Sequence, residues 1–225
     1  KLPLVYMQNS GLGNSVNPLL SLCDPDVYSI PMLLLIGWRG EPGVQDEPQH
    51  IKQGKIQLDF LKSMEIPYVI ISKDDQDVKK KISDSTDRAI KENRPFALLV
   101  KKRTFDTYKS NYQISDDNLI TREEALTIIL KQIPSNSTIV SNTGKTSREI
   151  FEIRERNKQS HSSDFLTVGS MGHCSSIALG IAISNPHQKV VCIDGDGSLI
   201  MHMGSLSVVG QIKPKNYYHI LNKWT

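Results

Sequence analysis

Cysteine, tryptophan and long apolar runs are all scarce in this chain. Only three cysteines occur in 225 residues, Cys23, Cys174 and Cys192. They are odd in number, far apart and without paired spacing, which fits reduced thiols in a cytoplasmic protein better than a disulfide framework or a zinc site. The longest apolar run, Met32-Leu33-Leu34-Leu35-Ile36, is far short of the roughly 20 residues needed to span a bilayer. No charged-then-apolar leader points to export, so no membrane partner is expected. Neither sign of charge dominates: 27 Lys and Arg stand against 24 Asp and Glu, a net charge of +3. The densest basic cluster, Lys79-Lys80-Lys81, has acidic neighbours and reads as a solvated helix face, so nucleic acid is not an expected partner. An initiator Met is also missing. Lys1-Leu2-Pro3-Leu4-Val5-Tyr6-Met7 reads as a strand already under way, and the expectation is that the native chain begins earlier.

What is present is an alternation of strand-length apolar runs with segments of helical period. Strands are expected near Leu4–Met7, Met32–Ile36, Tyr68–Ile71, Phe96–Val100, Thr138–Val140, Phe165–Val168, Val190–Ile193 and Tyr217–Leu221. Their Val, Ile and Leu do not alternate with polar residues, which suits strands buried on both faces of a parallel sheet. Between them, Val78, Ile82, Ala89 and Ile90 are expected on one face of a helix. Thr121-Arg122-Glu123-Glu124 is a capping box opening a helix through Leu130. The fold class is therefore α/β, as two similar domains, each a mostly parallel sheet flanked by helices.

The rhythm breaks from about Lys101 to Asn118, a polar stretch with Lys101-Lys102-Arg103, Asp106, Asp116 and Asp117 and no apolar period. It is expected to be a linker. The division is then a first domain over 1–102, a linker over 103–120 and a second domain over 121–225.

The most informative stretch is Val190-Val191-Cys192-Ile193-Asp194-Gly195-Asp196-Gly197-Ser198, followed by Leu199-Ile200-Met201-His202-Met203. A buried strand ends in a carboxylate between glycines and leads at once into a helix. Ligands of open α/β sheets bind beyond the carboxyl ends of the strands. Glycines let backbone approach a bound phosphate, and Asp196 is placed to hold a hard cation bridging to it. Rival motifs fail on spacing. A calcium loop needs Gly where Leu199 stands, a dinucleotide fingerprint needs Gly in place of Ile200, and a P-loop at Gly144-Lys145-Thr146 needs Gly in place of Ile139.

The Gly-Asp-Gly-Ser turn, followed by Asn222 at the end of a later strand, resembles the cofactor signature of the thiamine diphosphate-dependent 2-oxo acid decarboxylases. The resemblance is strongest to the subgroup acting on phosphonopyruvate and sulfopyruvate. It continues in Ser141-Asn142-Thr143-Gly144-Lys145-Thr146-Ser147-Arg148-Glu149 and Gly169-Ser170-Met171-Gly172-His173. In the first half it runs through Gln8-Asn9-Ser10-Gly11-Leu12-Gly13-Asn14, Trp38-Arg39-Gly40-Glu41-Pro42 and Asp46-Glu47-Pro48-Gln49-His50.

The resemblance implies a pyrimidine-binding first domain and a diphosphate-binding second domain, with thiamine diphosphate and Mg²⁺ as cofactors. Asp196 and Asn222 are the implied metal ligands. Asn9, Ser10, Thr143, Gly144, Gly169, Ser170, Met171, Gly195, Asp196, Gly197 and Ser198 are the implied cofactor contacts, Met171 packing near the cofactor's rings. The family's strand ends in paired Asn, whereas this chain reads Leu221-Asn222-Lys223-Trp224-Thr225. The catalytic Glu of the family would fall before Lys1, so residues 1–225 alone are expected to show no turnover. The implied substrate is a small anionic 2-oxo acid, with Arg39 and His50 as candidate contacts and Lys145 and Arg148 as further cations. Active sites between subunits imply at least a homodimer. Phosphonopyruvate is the expected substrate and sulfopyruvate the alternative. A non-catalytic fragment and a nucleotide-binding module are readings from other classes.

Overall fold

A computed structural model describes residues 1–110 and 120–222. The chain divides into two compact units, Lys1–Ser110 and Asn111–Thr225. Asp116, Asp117 and Asn118 of the expected linker, and Lys223, Trp224 and Thr225, lie outside the described residues.

In the first unit the elements run β1 (Leu4–Gln8), α1 (Asn9–Leu12), a 3-10 turn (Gly13–Ser15), α2 (Val16–Ser21), β2 (Met32–Gly37), α3 (Pro48–Ser63), β3 (Tyr68–Ile71), α4 (Val78–Glu92) and β4 (Pro95–Val100). All pairings are parallel, in the order β1-β2-β4-β3. The continuous apolar runs have the reason expected of them. Leu34 and Ile36 of β2 and Ala97 and Leu99 of β4 enter one core with Leu12, Trp38 and Leu61. The intervening Leu33, Phe96, Leu98 and Val100 enter a second core with Ile71 and Ala89. Successive strand residues point to opposite faces, so a strand covered on both sides must be apolar throughout. At the sheet edge, β1 departs from this, with Leu4 and Tyr6 exposed.

The second unit runs α5 (Arg122–Gln132), β5 (Thr138–Ser141), α6 (Lys145–Arg156), β6 (Asp164–Leu166), α7 (Cys174–Ser184), β7 (Val190–Gly195), α8 (Asp196–Met201), α9 (Ser205–Ile212) and β8 (Tyr217–Asn222). Its sheet is again parallel, ordered β6-β5-β7-β8. The expected capping box forms in full. Thr121 Oγ1 accepts from the Glu124 amide at 3.2 Å, and the Glu124 carboxylate accepts from the Thr121 amide at 2.7 Å.

Three expectations need correction. β6 spans Asp164–Leu166 rather than Phe165–Val168. Its start is held by the Asp164 carboxylate, which grips Arg154 through two bonds of 2.8 and 2.9 Å. After Leu166, Thr167 places its hydroxyl on the Ser141 carbonyl at 2.8 Å. On α4, Ser85 and Ala89 are buried while Ile90 is 52% exposed, because Ile90 lies about 100° around the helix from the stripe through Val78 and Ala89. Lys81 is not a solvated charge: its ammonium donates to Asp75 at 2.7 Å and to the Ile70 carbonyl at 3.0 Å.

Candidate cofactor site

In the second sheet the chain passes from β5 outward to β6, then crosses to β7 on the other side of β5. Strand order reverses between β5 and β7, and such a switch point opens a crevice beyond the carboxyl ends of the strands. Ser141-Asn142 and Gly195-Asp196 emerge there side by side. The Asn142 amide bonds the Ile193 carbonyl at 3.0 Å. A Cβ on Gly195 would lie 3.0 Å from Asn142 Nδ2, so glycine is what lets these two loops close on each other.

The loop after β5 is fastened from α6. Ser147 Oγ donates to the Asn142 carbonyl at 2.7 Å and meets Ser141 Oγ at 2.7 Å. Gly144, the residue before α6, has φ +96° and nothing within 4 Å of its missing Cβ. A left-handed residue in open space is a place where only glycine leaves the backbone bare to a ligand. Thr143 stands next to it, half-buried, and Lys145 and Arg148 are exposed on α6.

The loop after β6 carries two left-handed residues, Ser170 at φ +51° and Gly172 at φ +94°. The Gly172 amide donates to Ser198 Oγ at 3.0 Å, tying this loop to the start of α8. A Cβ on Gly172 would lie 2.6 Å from His202 Cδ2. Met171 is exposed at the tip. The His173 and His202 rings meet at a tilt of 51° with centroids 4.1 Å apart, and the buried His202 Nε2 has no hydrogen-bond partner among the described residues.

Asp196 opens α8, half-exposed, with its Oδ1 accepting from the Gly197 amide at 2.8 Å. β8 is in register with β7 so that Asn222 pairs with Gly195. Asn222 thus lies across from the residue before Asp196, and its buried Nδ2 has no partner among the described residues. Asn142 Oδ1 is orphaned in the same way. Buried polar atoms are normally satisfied, so orphans of this kind mark where a ligand supplies the missing contact. A half-turn of the Asn222 amide would present its carbonyl oxygen instead. One carboxylate and one amide oxygen are hard donors suited to Mg²⁺. The residues present therefore fit a diphosphate held through magnesium.

Beneath them, Asp194 is a carboxylate 1% exposed. Its Oδ1 accepts from the Gly195 amide at 2.9 Å and its Oδ2 faces His219 Nε2 at 3.4 Å. Burial pushes this carboxyl up. Hydrogen bonds from His219, Ser198, Cys174 and the Gly195 amide outweigh burial and hold it below the ordinary carboxylate range.

In the first unit an open groove of about 930 Å³ at the carboxyl ends of β2, β3 and β4 is lined by Arg39, Asp46, Glu47, Lys73 and Lys101 among others; Asn9 and Ser10, after β1, and His50, on α3, do not line it. Arg39 is clamped by Asp46, Nε to Oδ2 at 2.9 Å and Nη2 to Oδ1 at 2.6 Å. The Gly40 amide adds a third bond to Asp46 at 2.8 Å. Glu41 does not pair with Arg39; it takes Lys101 at 2.8 Å. Both ends of the Asn9 amide are occupied by the Arg39 backbone, at 2.8 and 3.1 Å, so Asn9 fastens the Trp38–Glu47 loop. Ser10 is half-buried beside it. His50 is buried, its Nδ1 has no partner among the described residues, and burial followed by the Arg39 charge lowers its pKa. A neutral imidazole follows at pH 7.

Residues 142–223 match the family described as thiamine pyrophosphate enzyme, C-terminal TPP binding domain. The phosphonopyruvate decarboxylase of Streptomyces viridochromogenes is 32% identical over 229 residues, covering 95% of this chain and 56% of that protein. This chain is similar to the phosphonopyruvate decarboxylases. The sulfopyruvate decarboxylase subunit beta of Methanocaldococcus jannaschii is 42% identical over 93 residues, 41% of this chain and 46% of that subunit. A protein named sulfopyruvate decarboxylase, without a subunit label, from Methanosarcina acetivorans is 26% identical over 240 residues, 95% of this chain and 58% of that protein. The chain spans a little over half the length of the phosphonopyruvate decarboxylases it matches.

The second unit gathers Thr143, Gly144, Gly169, Ser170, Met171, Gly195, Asp196, Gly197, Ser198 and Asn222 at the carboxyl edge of one sheet. Asn9, Ser10, Arg39 and His50 belong to the first unit. Sequence reasoning missed Asn142, Asp194 and His219 as polar groups around the site. The one available signal was a carboxylate in an otherwise apolar strand, Val190-Val191-Cys192-Ile193-Asp194, where an unpaired charge would not be tolerated.

Proposed function

We propose that the protein carrying this chain is a thiamine diphosphate- and Mg²⁺-dependent decarboxylase converting 3-phosphonopyruvate to phosphonoacetaldehyde and CO₂. The observation that carries this reading is the pairing of Gly195 with Asn222, which brings a strand-end amide to within one residue of Asp196 along the chain at the exit of β7. In this reading Asp196 and Asn222 hold Mg²⁺ by oxygen, and Gly144, Thr143, Gly169, Ser170, Gly195, Gly197 and Ser198 receive the diphosphate. When bound, the thiazolium ring supplies the electron sink that decarboxylation of a 2-oxo acid requires. The chain's own part is to orient that ring and exclude water, and Met171 at the tip of its loop provides an adaptable apolar contact for it.

In the first unit, Asp46 fixes the guanidinium of Arg39 at the rim of the groove, and the neutral His50 lies behind it. Lys73, Lys101 and Lys102 line the same groove. Glu41, Asp46, Glu47 and Asp74 line it as well, Asp46 pairing with Arg39 and Glu41 with Lys101, so a small anionic substrate draws mainly on Lys102 and Arg103 and on the exposed part of the Arg39 guanidinium. An active site shared between subunits of a homo-oligomer is part of the proposal; relatives named as separate alpha and beta subunits support it. Cytoplasmic residence is supported by three free, buried cysteines. Among the described residues no helix is long and apolar enough to cross a membrane.

Sulfopyruvate is the alternative substrate. Having both units on one chain does not separate the two, since a sulfopyruvate decarboxylase named without a subunit label also covers 95% of this chain. Among relatives that match 95% of this chain the phosphonopyruvate enzyme has the higher identity, 32% against 26%, while a separate sulfopyruvate subunit reaches 42% over a shorter stretch. The test is CO₂ release from each acid by the full-length protein with saturating cofactor and Mg²⁺. A higher kcat/KM on phosphonopyruvate is expected. Equal values, or activity on neither, would defeat the assignment.

A further inference from the structure

Directly under the proposed diphosphate site, on the face of the second sheet that packs against α7, four side chains converge that the proposed decarboxylation does not use. Cys192 and Asp194 are two apart on β7 and so share a face. His219 is the register partner of Cys192 on β8, and Cys174 is the first residue of α7. The thiol sulfurs of Cys174 and Cys192 and a carboxylate oxygen of Asp194 all lie within 4.8 Å of one another, and all three residues are buried. His219 Nε2 faces Asp194 Oδ2 at 3.4 Å.

That last distance is informative. It is a long hydrogen bond, against about 2.7–2.9 Å for a tight charge-assisted pair of imidazole and carboxylate. Two ligands of one tetrahedral Zn²⁺, each about 2.0–2.1 Å from the metal, stand about 3.3–3.4 Å apart. The His219–Asp194 spacing matches one edge of a coordination tetrahedron, and the two thiols cluster with the same carboxylate; His219 stands just outside that three-residue cluster and swings inward to complete the set. Two thiolates, one carboxylate and a neutral imidazole around Zn²⁺ carry a net charge of −1. A Cys₃His site, an ordinary structural zinc site, carries the same charge. Nothing in sequence spacing discloses this set, because its members come from three separate elements.

We propose that Cys174, Cys192, Asp194 and His219 form a binding site for a thiophilic divalent cation of the Zn²⁺ type. Binding displaces the two thiol protons to solvent, and each sulfur then donates an electron pair to the metal. The ion ties the start of α7 to β7 and β8, beneath Asp196 and Asn222 but distinct from them: sulfur ligands select the softer metal and the oxygen pair above selects Mg²⁺. The inference does not depend on the thiamine diphosphate reading and can stand if that fails.

The test is a Co²⁺ titration of the chelator-stripped full-length protein, without Mg²⁺ or thiamine diphosphate. The expected result is one ion per chain, with intense near-ultraviolet thiolate-to-cobalt absorption and tetrahedral visible bands, all removed by adding Zn²⁺. Cys174→Ser and Cys192→Ser should each weaken the near-ultraviolet band and loosen binding by about tenfold or more. The double Cys→Ala variant should abolish the band. Cobalt bound with no thiolate absorption, or absorption unchanged by the cysteine substitutions, would overturn the proposal and place the ion elsewhere. If a variant fails to fold, the wild-type spectrum still decides, because only sulfur ligation produces that band.

Discussion

Gly195 and Asn222 are register partners across β7 and β8, and this single pairing brings a residue with a buried, unpartnered amide nitrogen opposite the residue that precedes Asp196. The relationship separates two kinds of ligand. Asp196 brings a full charge, half-exposed at the mouth, whereas Asn222 brings a neutral oxygen from a strand end. Asn222→Ala should therefore weaken Mg²⁺-dependent cofactor binding by about 10–100-fold, or about 1.4–2.7 kcal/mol. Raising Mg²⁺ should largely restore it. Calorimetric titration at two Mg²⁺ concentrations checks this, and a loss that magnesium does not relieve would remove Asn222 from the metal site.

A second relationship governs stability of the first unit. A Cβ on Gly54 would lie 1.9 Å from the Gly40 carbonyl oxygen, where α3 and the Trp38–Glu47 loop touch through backbone. Trp38 Nε1 also donates to the Gly54 carbonyl at 2.9 Å. Gly54→Ala should cost about 3 kcal/mol, the upper end of overpacking effects. Gly13 has φ −56° and nothing near its missing Cβ, so Gly13→Ala should be neutral or stabilise by up to about 1 kcal/mol. Urea midpoints for both variants make the comparison; equal shifts would contradict it.

Asp46 sets a pH dependence. The Arg39 hydrogen bond, opposed by burial and aided by the Gly40 and Glu47 amides, holds its carboxyl far below the ordinary carboxylate range. A carboxyl lowered in the folded state stabilises fully above its unfolded value of about 3.9, and that stability is lost as pH falls toward the folded value. Because Arg39 is partly exposed, Asp46→Asn should destabilise by only about 1–3 kcal/mol at pH 7. The gap between wild type and variant should be flat from pH 7 to about 5 and narrow below about 4. Thermal melts across that range test it, and a gap that widens in acid would refute the assignment.

Thr121 anchors α5 through the reciprocal capping box with Glu124. Thr121→Ala should lower stability by about 1 kcal/mol, read as a shift in the urea midpoint with an unchanged slope.

The fold was legible because both sheets are parallel and buried on both faces, which writes uninterrupted apolar runs at Met32–Ile36, Phe96–Val100 and Val190–Ile193. Ends of elements were less legible where side chains rather than periodicity decide them. β6 begins at Asp164 because Arg154 takes its carboxylate, a contact across ten positions that no local pattern reveals. Ile90 misled because it is apolar but lies about 100° from the buried stripe of α4. Of the candidate site, the glycine-flanked Asp196 was readable from local sequence. The orphaned amides of Asn142 and Asn222, the capture of Arg39 by Asp46, and the convergence of Cys174, Cys192, Asp194 and His219 were not. Each depends on which strands become neighbours.

The central claim is that Asp196 binds the metal that holds a diphosphate on the edge of the second sheet. Calorimetric titration of thiamine diphosphate into wild type and Asp196→Ala, each with and without Mg²⁺, tests it most directly. Wild type should bind only with Mg²⁺, and the variant should lose at least about 100-fold in affinity, about 2.7 kcal/mol, with an unchanged melting temperature in the absence of ligand. Binding by Asp196→Ala as tight as by wild type, or binding by wild type that ignores Mg²⁺, would contradict the account.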